Sequence, residues 1–363
     1  MKPKNFYYAV FRDFMKRYWY VFAIIAVALI TAIGSFFYIN FLLKKPAPPS
    51  FVTKKPAVQI QSDQLSDPPV LKTGIFCPLD GTSLETLPSH RMLAFAIDNS
   101  PEARPQSGLQ AADLVVEMPV EGGITRLLAF YYHAEGVRIG PIRSARPYLI
   151  SKAREYEAVF IHAGQSPQAA EYFIKTKAEH IDEIPSTEGF WREKTRNAPH
   201  NLYTSTKNIL DQLKTKGLNG TKSVNGLKFA NTEFISGQDS KKLTIFYRSG
   251  EIIYDYQMLD KNYLRFIGEK AHIDGDSNMP LRIKNIIVQF VSTNVLDGVG
   301  RLSVKLEDKG RCLISSGGKI IDGIWEKTKN DVTHYYDDKG VEIILPTGQT
   351  WIEIVPNNVE IDY

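Results

Sequence analysis

Residues 158–173 read AVFIHAGQSPQAAEYF, and the change of pattern within them decides the fold class. An apolar run ends at His162, Gly164 turns the chain, and Ser166 stands where a helix cap belongs. Pro167 then takes the first helical position, where its missing N–H costs nothing. A strand that passes through a glycine turn into a helix is the repeating unit of a layered α/β domain.

Outward from this stretch the alternation recurs. RMLAFAIDN (91–99) reads as a strand ending in a polar pair, PQSGLQAAD (105–113) as a short helix, and LVVEMPV (114–120) and ITRLLAFYYHA (124–134) as two further strands. GPIRSARPYLI (140–150) is a turn that leads into a helix over 147–156. TSTKNILDQLKTK (204–216) supplies another helix, with Thr204 or Ser205 as its cap. After the loop GLNGTKSVNG (217–226) the pattern changes to short alternating runs separated by Gly and Asp turns, among them KLTIFYRSG, EIIYDYQM, IKNIIVQFV and QTWIEIV. Such runs predict a mostly antiparallel, all-β part, a sandwich or a partly open barrel.

The N-terminus has a different character. Residues 18–43, YWYVFAIIAVALITAIGSFFYINFLL, carry no charged side chain and, at about 1.5 Å per residue, more than cross a hydrocarbon core of roughly 30 Å. Lys2, Lys4, Arg12, Lys16 and Arg17 precede the run against a single Asp13, and Lys44, Lys45, Lys54 and Lys55 follow it. The balance narrowly favours a cytoplasmic N-terminus and an extracytoplasmic body at the cell membrane. A signal peptide cut near AIGS (32–35) is the alternative, but its apolar core would exceed the usual length of roughly 7–15 residues. Six prolines between 44 and 75 describe an extended stalk. The expected organisation is therefore α/β or α+β: a cytoplasmic segment 1–17, a transmembrane helix 18–43, a stalk 44–75, an α/β domain 76–235 and a β-rich domain 236–363.

With 363 residues, 43% hydrophobic and 23% charged, the chain has a globular composition, and a net charge of +4 without a basic cluster in the body argues against a nucleic-acid partner. Cys77 and Cys312 are the only cysteines. An extracytoplasmic setting permits them to pair, and the sequence leaves pairing and two isolated thiols both open. Two cysteines suggest neither a zinc nor a haem centre, so no metal and no cofactor is expected. No cysteine precedes Cys77 to accept a lipid near the membrane.

Polar residues collect at the expected strand ends. Arg143, Ser144 and Arg146 follow the Gly140–Pro141 turn, and forked guanidiniums suit carboxylate or phosphate. Asp98, Asn99 and Arg104 follow the first strand, where ligands collect in open α/β sheets. Glu121 and Arg126 flank paired glycines, and His162 and Ser166 flank the glycine turn before a helix start that favours anions. His200 and Asn201 stand in TRNAPHNLYTS, before a helix. Each set also has a plain structural explanation in turns, caps and surface ion pairs, with Glu155 and Glu157 as partners for the two loop arginines.

In this order the motifs AIDNSPEARPQSGLQAADLVVEMPVEGGITRLLAFY, IGPIRSARPYLI, HAGQSPQA and APHNLYT, with DGVGR, GIWEK and GQTWIEIVP further on, resemble the YerB-like family of bacterial envelope lipoproteins over residues 75–363. The resemblance implies an envelope location and two domains of unknown function, and it carries no activity. Family members are expected to carry a lipid on a cysteine, where this chain has an apolar helix. The expectation is a binding protein for an anionic wall or lipid-linked ligand, held by the twelve residues just named. Three other classes remain: a phosphotransferase, from a weak likeness to the LytR-CpsA-Psr enzymes; a hydrolase using Ser166 with His162 or His200; and a scaffold for an envelope protein partner.

Overall fold

The apolar runs become strands of one large mixed sheet. In chain order its principal members are β1 (Leu93–Asp98), β2 (Leu114–Pro119), β3 (Thr125–Tyr131), β4 (Val159–His162) and β5 (His180–Asp182) from the first half. A second, antiparallel sheet is built on β6 (Lys242–Tyr247), β7 (Gly250–Gln257) and β8 (Asn262–Ile267). The large sheet is completed by β9 (Asn285–Val291), β10 (Asp308–Ser316), β11 (Lys319–Lys327) and β12 (Thr350–Pro356). Its spatial order is β11-β10-β9-β12-β2-β3-β1-β4-β5, with short strands Gln238–Asp239 and His334–Tyr336 against β11. In this computed structural model residues 16–19 and 74–363 are described, except 186, 219, 232 and 234–236.

The sheet crosses the expected domain boundary. β2 pairs in parallel with β12, from Leu114 opposite Thr350 to Glu117 opposite Glu353. The described residues from 74 to 363 accordingly form one compact unit. The β-rich half is largely antiparallel, as expected, yet its strands divide between the shared sheet and the second sheet rather than closing on themselves.

Burial on both faces explains why β1, β2 and β3 are buried at every position. Ala94, Ala96 and Leu128 face a cluster with Leu149 and Ala153 of one helix and Phe173 of another. Leu93, Phe95 and Ile97 face Leu243, Ile245 and Tyr254 of the second sheet. Strands covered on both sides lose the alternation of a half-exposed strand.

Three helices follow the sequence closely: α1 (Pro147–Glu155), α2 (Pro167–Thr176) and α3 (Thr206–Thr215). The Ser166 hydroxyl accepts from the Ala169 amide, and Ser205, rather than Thr204, accepts from the Asn208 amide. The helix expected over 105–113 shrinks to a single turn, Leu109–Ala111. Gly108 before it has φ +92, and a Cβ there would stand 2.6 Å from the Arg138 carbonyl oxygen. Cys77 and Cys312 are both buried and free, which settles the pairing that the sequence left open.

Residues 16–19 are helical. The rest of the expected span from residue 20, and the stalk up to residue 73, lie outside the described residues. Among the described residues no helix is long and apolar enough to cross a membrane.

Candidate functional site

The strand ends of β1, β4 and β5 point the same way, because β4 pairs in parallel with both neighbours. Where β1 and β4 separate, residues 140–146 thread between them. The Asp98 amide donates to the Pro141 carbonyl at 2.8 Å and the Arg143 amide to the Ala96 carbonyl at 2.8 Å. On the other side the Ala163 amide donates to the Arg143 carbonyl and the Ala145 amide to the Gly164 carbonyl. Gly140 permits the entry, since a Cβ there would lie 2.8 Å from the Leu202 carbonyl oxygen. The loop that the sequence marks as a turn is thus a wedge, fixed on both sides, at the carboxyl edge of the sheet.

Asp98 is the centre of the cluster, fully buried, and opposite Arg126 in the β1–β3 register. Its Oδ1 accepts from the amide and the hydroxyl of Ser100, both at 3.0 Å. Its Oδ2 lies 2.7 Å from His200 Nδ1 and 2.8 Å from Arg143 Nε. The arginine contact has the distance of an ion pair but not the alignment of a hydrogen bond, so the guanidinium supplies charge without committing its fork. Burial alone would raise the carboxyl, but the Ser100 amide, Arg143, His200 and Arg126 together hold it below the usual range.

Two more guanidiniums stand beside it. Arg146 holds Glu121 with Nε–Oε1 at 2.7 Å and Nη2–Oε2 at 3.1 Å, a two-pronged pair that keeps Glu121 ionised. Arg126 is buried, and its Nη1 donates to the Ser144 carbonyl at 2.8 Å. Among the described residues its Nε has no hydrogen-bond partner and no carboxylate forms an ion pair with it. Burial, then the charges of Arg146 and Arg143, pull its pKa down to about 10 against the opposing influence of Asp98. Three guanidiniums therefore face two carboxylates. The first turn of α1, entered at Arg146, has no side-chain cap.

Asp98, Glu121, Arg126, Arg143, Ser144, Arg146 and His200 are thus brought together, and neither loop arginine pairs with Glu155 or Glu157. Glu155 is buried against Lys152 and Thr333, and Glu157 meets Lys222. The remaining candidates turn elsewhere. Asn99 donates to Glu117 and Thr125 inside the sheet, and Arg104 folds back onto Asn99. His162 is buried among Phe160, Phe173 and His180, with Nδ1 donating to the Gly164 carbonyl at 2.8 Å and Nε2 2.9 Å from His180 Nδ1, and burial lowers its pKa to about 4. Ser166 caps α2, and Asn201 ties its own loop through the Glu193 and Arg196 carbonyls.

These placements limit the chemistry. Ser100 Oγ is 3.1 Å from His200 Nδ1, the same nitrogen that Asp98 engages. A serine relay needs the hydroxyl and the carboxylate on opposite nitrogens, and Ser166 is occupied as a cap. Asp98 and Glu121 are each answered by a guanidinium, so a cation would have to displace arginine. What the cluster does offer is excess positive charge with free donors. Ser100 was not singled out from the sequence; its place two residues after a strand-ending Asp, in an Asx turn, was the available signal.

Family models described as "Protein of unknown function (DUF3048)" match this chain, the N-terminal domain over residues 80–219 and the C-terminal domain over 243–352. Among curated proteins, "Putative lipoprotein YerB" of Bacillus subtilis (strain 168) is 30% identical over 286 residues, which is 77% of this chain and 86% of that protein. The crystal structure of the YerB protein from Bacillus subtilis is similar with a TM-score of 0.71 and 28% identity, covering 80% of this chain and 100% of that one.

Proposed function

The chain belongs to the DUF3048 family, and from that premise we propose that it is a membrane-anchored envelope protein that binds an anionic ligand through Arg126, Arg143 and Arg146. The observation that carries the proposal is Arg126. A buried guanidinium without a carboxylate of its own is unfavourable unless something negative completes it. An anion placed among the three guanidiniums would supply that charge, with forked donors and the uncapped first turn of α1 beside it. Phosphorylated wall polymers and lipid-linked phosphates are the ligand class that fits the location.

The relative named as a lipoprotein supports a position at the membrane. Here Cys77, the first cysteine in the sequence, is buried in the folded body. The uncharged run 18–43 takes the anchoring role and leaves the body outside the cytoplasm.

Binding is tested with the full chain in detergent, passed over anionic wall polymer at low ionic strength. Replacing Arg143 and Arg146 together by Gln should weaken retention by about tenfold or more, on the scale of charged hydrogen bonds. The melting temperature is recorded for both proteins. Equal retention by a folded double variant would end the proposal.

A further inference from the structure

At the opposite edge of the large sheet, where β2 begins and β3 ends, lies a second polar cluster that the arginine site does not use. Cys77, Asp80, Asp113 and His133 each present one ligand atom, and these atoms all lie within 4.8 Å of one another. His133 Nε2 is 2.9 Å from Asp113 Oδ1 and 3.3 Å from Asp80 Oδ2. We propose that these four residues bind one divalent transition-metal ion, zinc by the chemistry of the set.

The donor set supports a borderline-soft ion. One thiolate, one imidazole and two carboxylates make four ligands, the number that a closed tetrahedral zinc site takes. Magnesium and calcium prefer oxygen donors throughout, so the thiol and the imidazole select against them.

The surroundings are arranged as a metal site requires. Asp113 Oδ2 accepts from the Tyr132 amide, which leaves Oδ1 directed at His133. Asp80 Oδ1 accepts from the Thr82 amide at 2.9 Å, and its Oδ2 from the Thr82 hydroxyl at 2.7 Å. Backbone donors of this kind orient carboxylate ligands before the ion arrives. Cys77 and Asp80 belong to the turn CPLDG, closed by the Cys77 amide on the Thr82 carbonyl and the Gly81 amide on the Cys77 carbonyl, both at 2.9 Å. Gly81 has φ +72, and a Cβ there would meet the Phe229 ring at 2.5 Å, so the turn that spaces the two ligands depends on glycine. Cys77, Asp80 and Asp113 are buried, whereas the His133 side chain keeps 28% exposure and gives the ion a way in.

Without an ion, two buried carboxylates share one imidazole, and the other charge lacks a partner within the cluster. A dication answers both carboxylates, and its binding releases the Cys77 thiol proton to solvent, so the loaded set of one thiolate, two carboxylates and a neutral imidazole carries one net negative charge. Its structural effect follows from the connectivity: the segment around residues 77–82 is the first of the body after the expected stalk, and the ion would clamp it to the sheet through Asp113 and His133. Cysteine counting missed this set, because only one of its ligands is a cysteine.

The test uses the full chain in detergent, stripped with a chelator and titrated first with cobalt and then with zinc. The wild-type protein should take up one cobalt per chain, develop a thiolate-to-cobalt charge-transfer band in the near ultraviolet, and lose that band when zinc displaces cobalt. Cys77→Ser should abolish the band, whereas Cys312→Ser, with its thiol elsewhere in the core, should keep it. Thr82→Val, which removes only an orienting hydroxyl, should weaken zinc about tenfold. The wild-type titration decides even if a variant fails to fold. Absence of the band, or a band that survives in Cys77→Ser, overturns the proposal.

Discussion

Arg265→Met should lower the unfolding free energy by about 3–5 kcal/mol, the usual consequence of removing one partner from a buried ion pair. Arg265 is fully buried, and its Nη2 holds Glu117 Oε2 while its Nε donates to the Tyr254 hydroxyl at 3.2 Å. Its guanidinium also lies 4.7 Å from the centre of the Trp351 ring. Glu117 and Glu353, both fully buried, stand side by side in the parallel register of β2 and β12. Methionine would fill much of the volume and leave those carboxyls without the cation that faces them. His272, 2.6 Å from Arg265 Nη1, does not substitute, because burial, the first cause that holds its pKa well below the usual value, remains when Arg265 is gone, as does the charge of Arg104. Urea unfolding at neutral pH measures the effect, and a loss under about 1 kcal/mol would contradict it.

The same substitution should disturb the arginine site. Glu117 Oε1 accepts from Thr125 at 2.5 Å and from Asn99 at 3.1 Å, the residues next to Arg126 and Asp98. The buried network is therefore the support on which the site's two central residues rest.

Glu353→Gln is expected to change the pH dependence of stability more than stability itself. Burial, followed by the neighbouring Glu117, raises the Glu353 carboxyl to about 8 against the opposing pull of Arg265. The hydroxyls of Tyr247 and Tyr254 lie against its two oxygens. An acid whose folded pKa exceeds its unfolded value of about 4.3 is stabilising below that value, and the contribution is lost as pH rises toward the folded pKa. Wild-type stability should thus decline from about pH 4 to about pH 8 through this group. Glutamine keeps the shape of the protonated acid and does not titrate. Relative to wild type, the variant should gain a few kcal/mol between pH 5 and pH 8.5, read from melting temperatures across that range. A difference that stays constant with pH would contradict the assignment of the proton to Glu353.

Local chemistry was legible in the sequence, and long-range pairing was not. Ser166–Pro167 and Ser205 mark their helices because cap and first-turn requirements are satisfied within a few residues. Arg143 and Arg146 could be assigned to a strand-end loop for the same reason. Glu117 and Glu353 come from distant parts of the chain, and only the β2–β12 register brings them together. That pairing also joins halves which composition alone separates at residue 235. Arg104 resembles the other arginines in sequence, but its hydrogen bonds to Asn99 turn it inward, a choice that depends on Gln106 and Glu117 nearby. The expected helix at 105–113 failed because the positive φ of Gly108 reserves that position for a turn.

Arg126→Met tests the proposed anion site most directly, because structural and ligand-binding roles move its readouts in opposite directions. A buried arginine retained for packing lowers stability when it is removed. One retained for a ligand can be replaced by an apolar side chain with no loss of stability in the free protein, as happens when buried charges give way to hydrophobic residues of similar volume. Melting temperature and inorganic pyrophosphate binding by calorimetry are measured on the same full-length preparations. The expected result is an unchanged or higher melting temperature for Arg126→Met together with pyrophosphate binding weakened at least about tenfold. A variant that melts lower and binds pyrophosphate as tightly as wild type would show that Arg126 serves the fold alone.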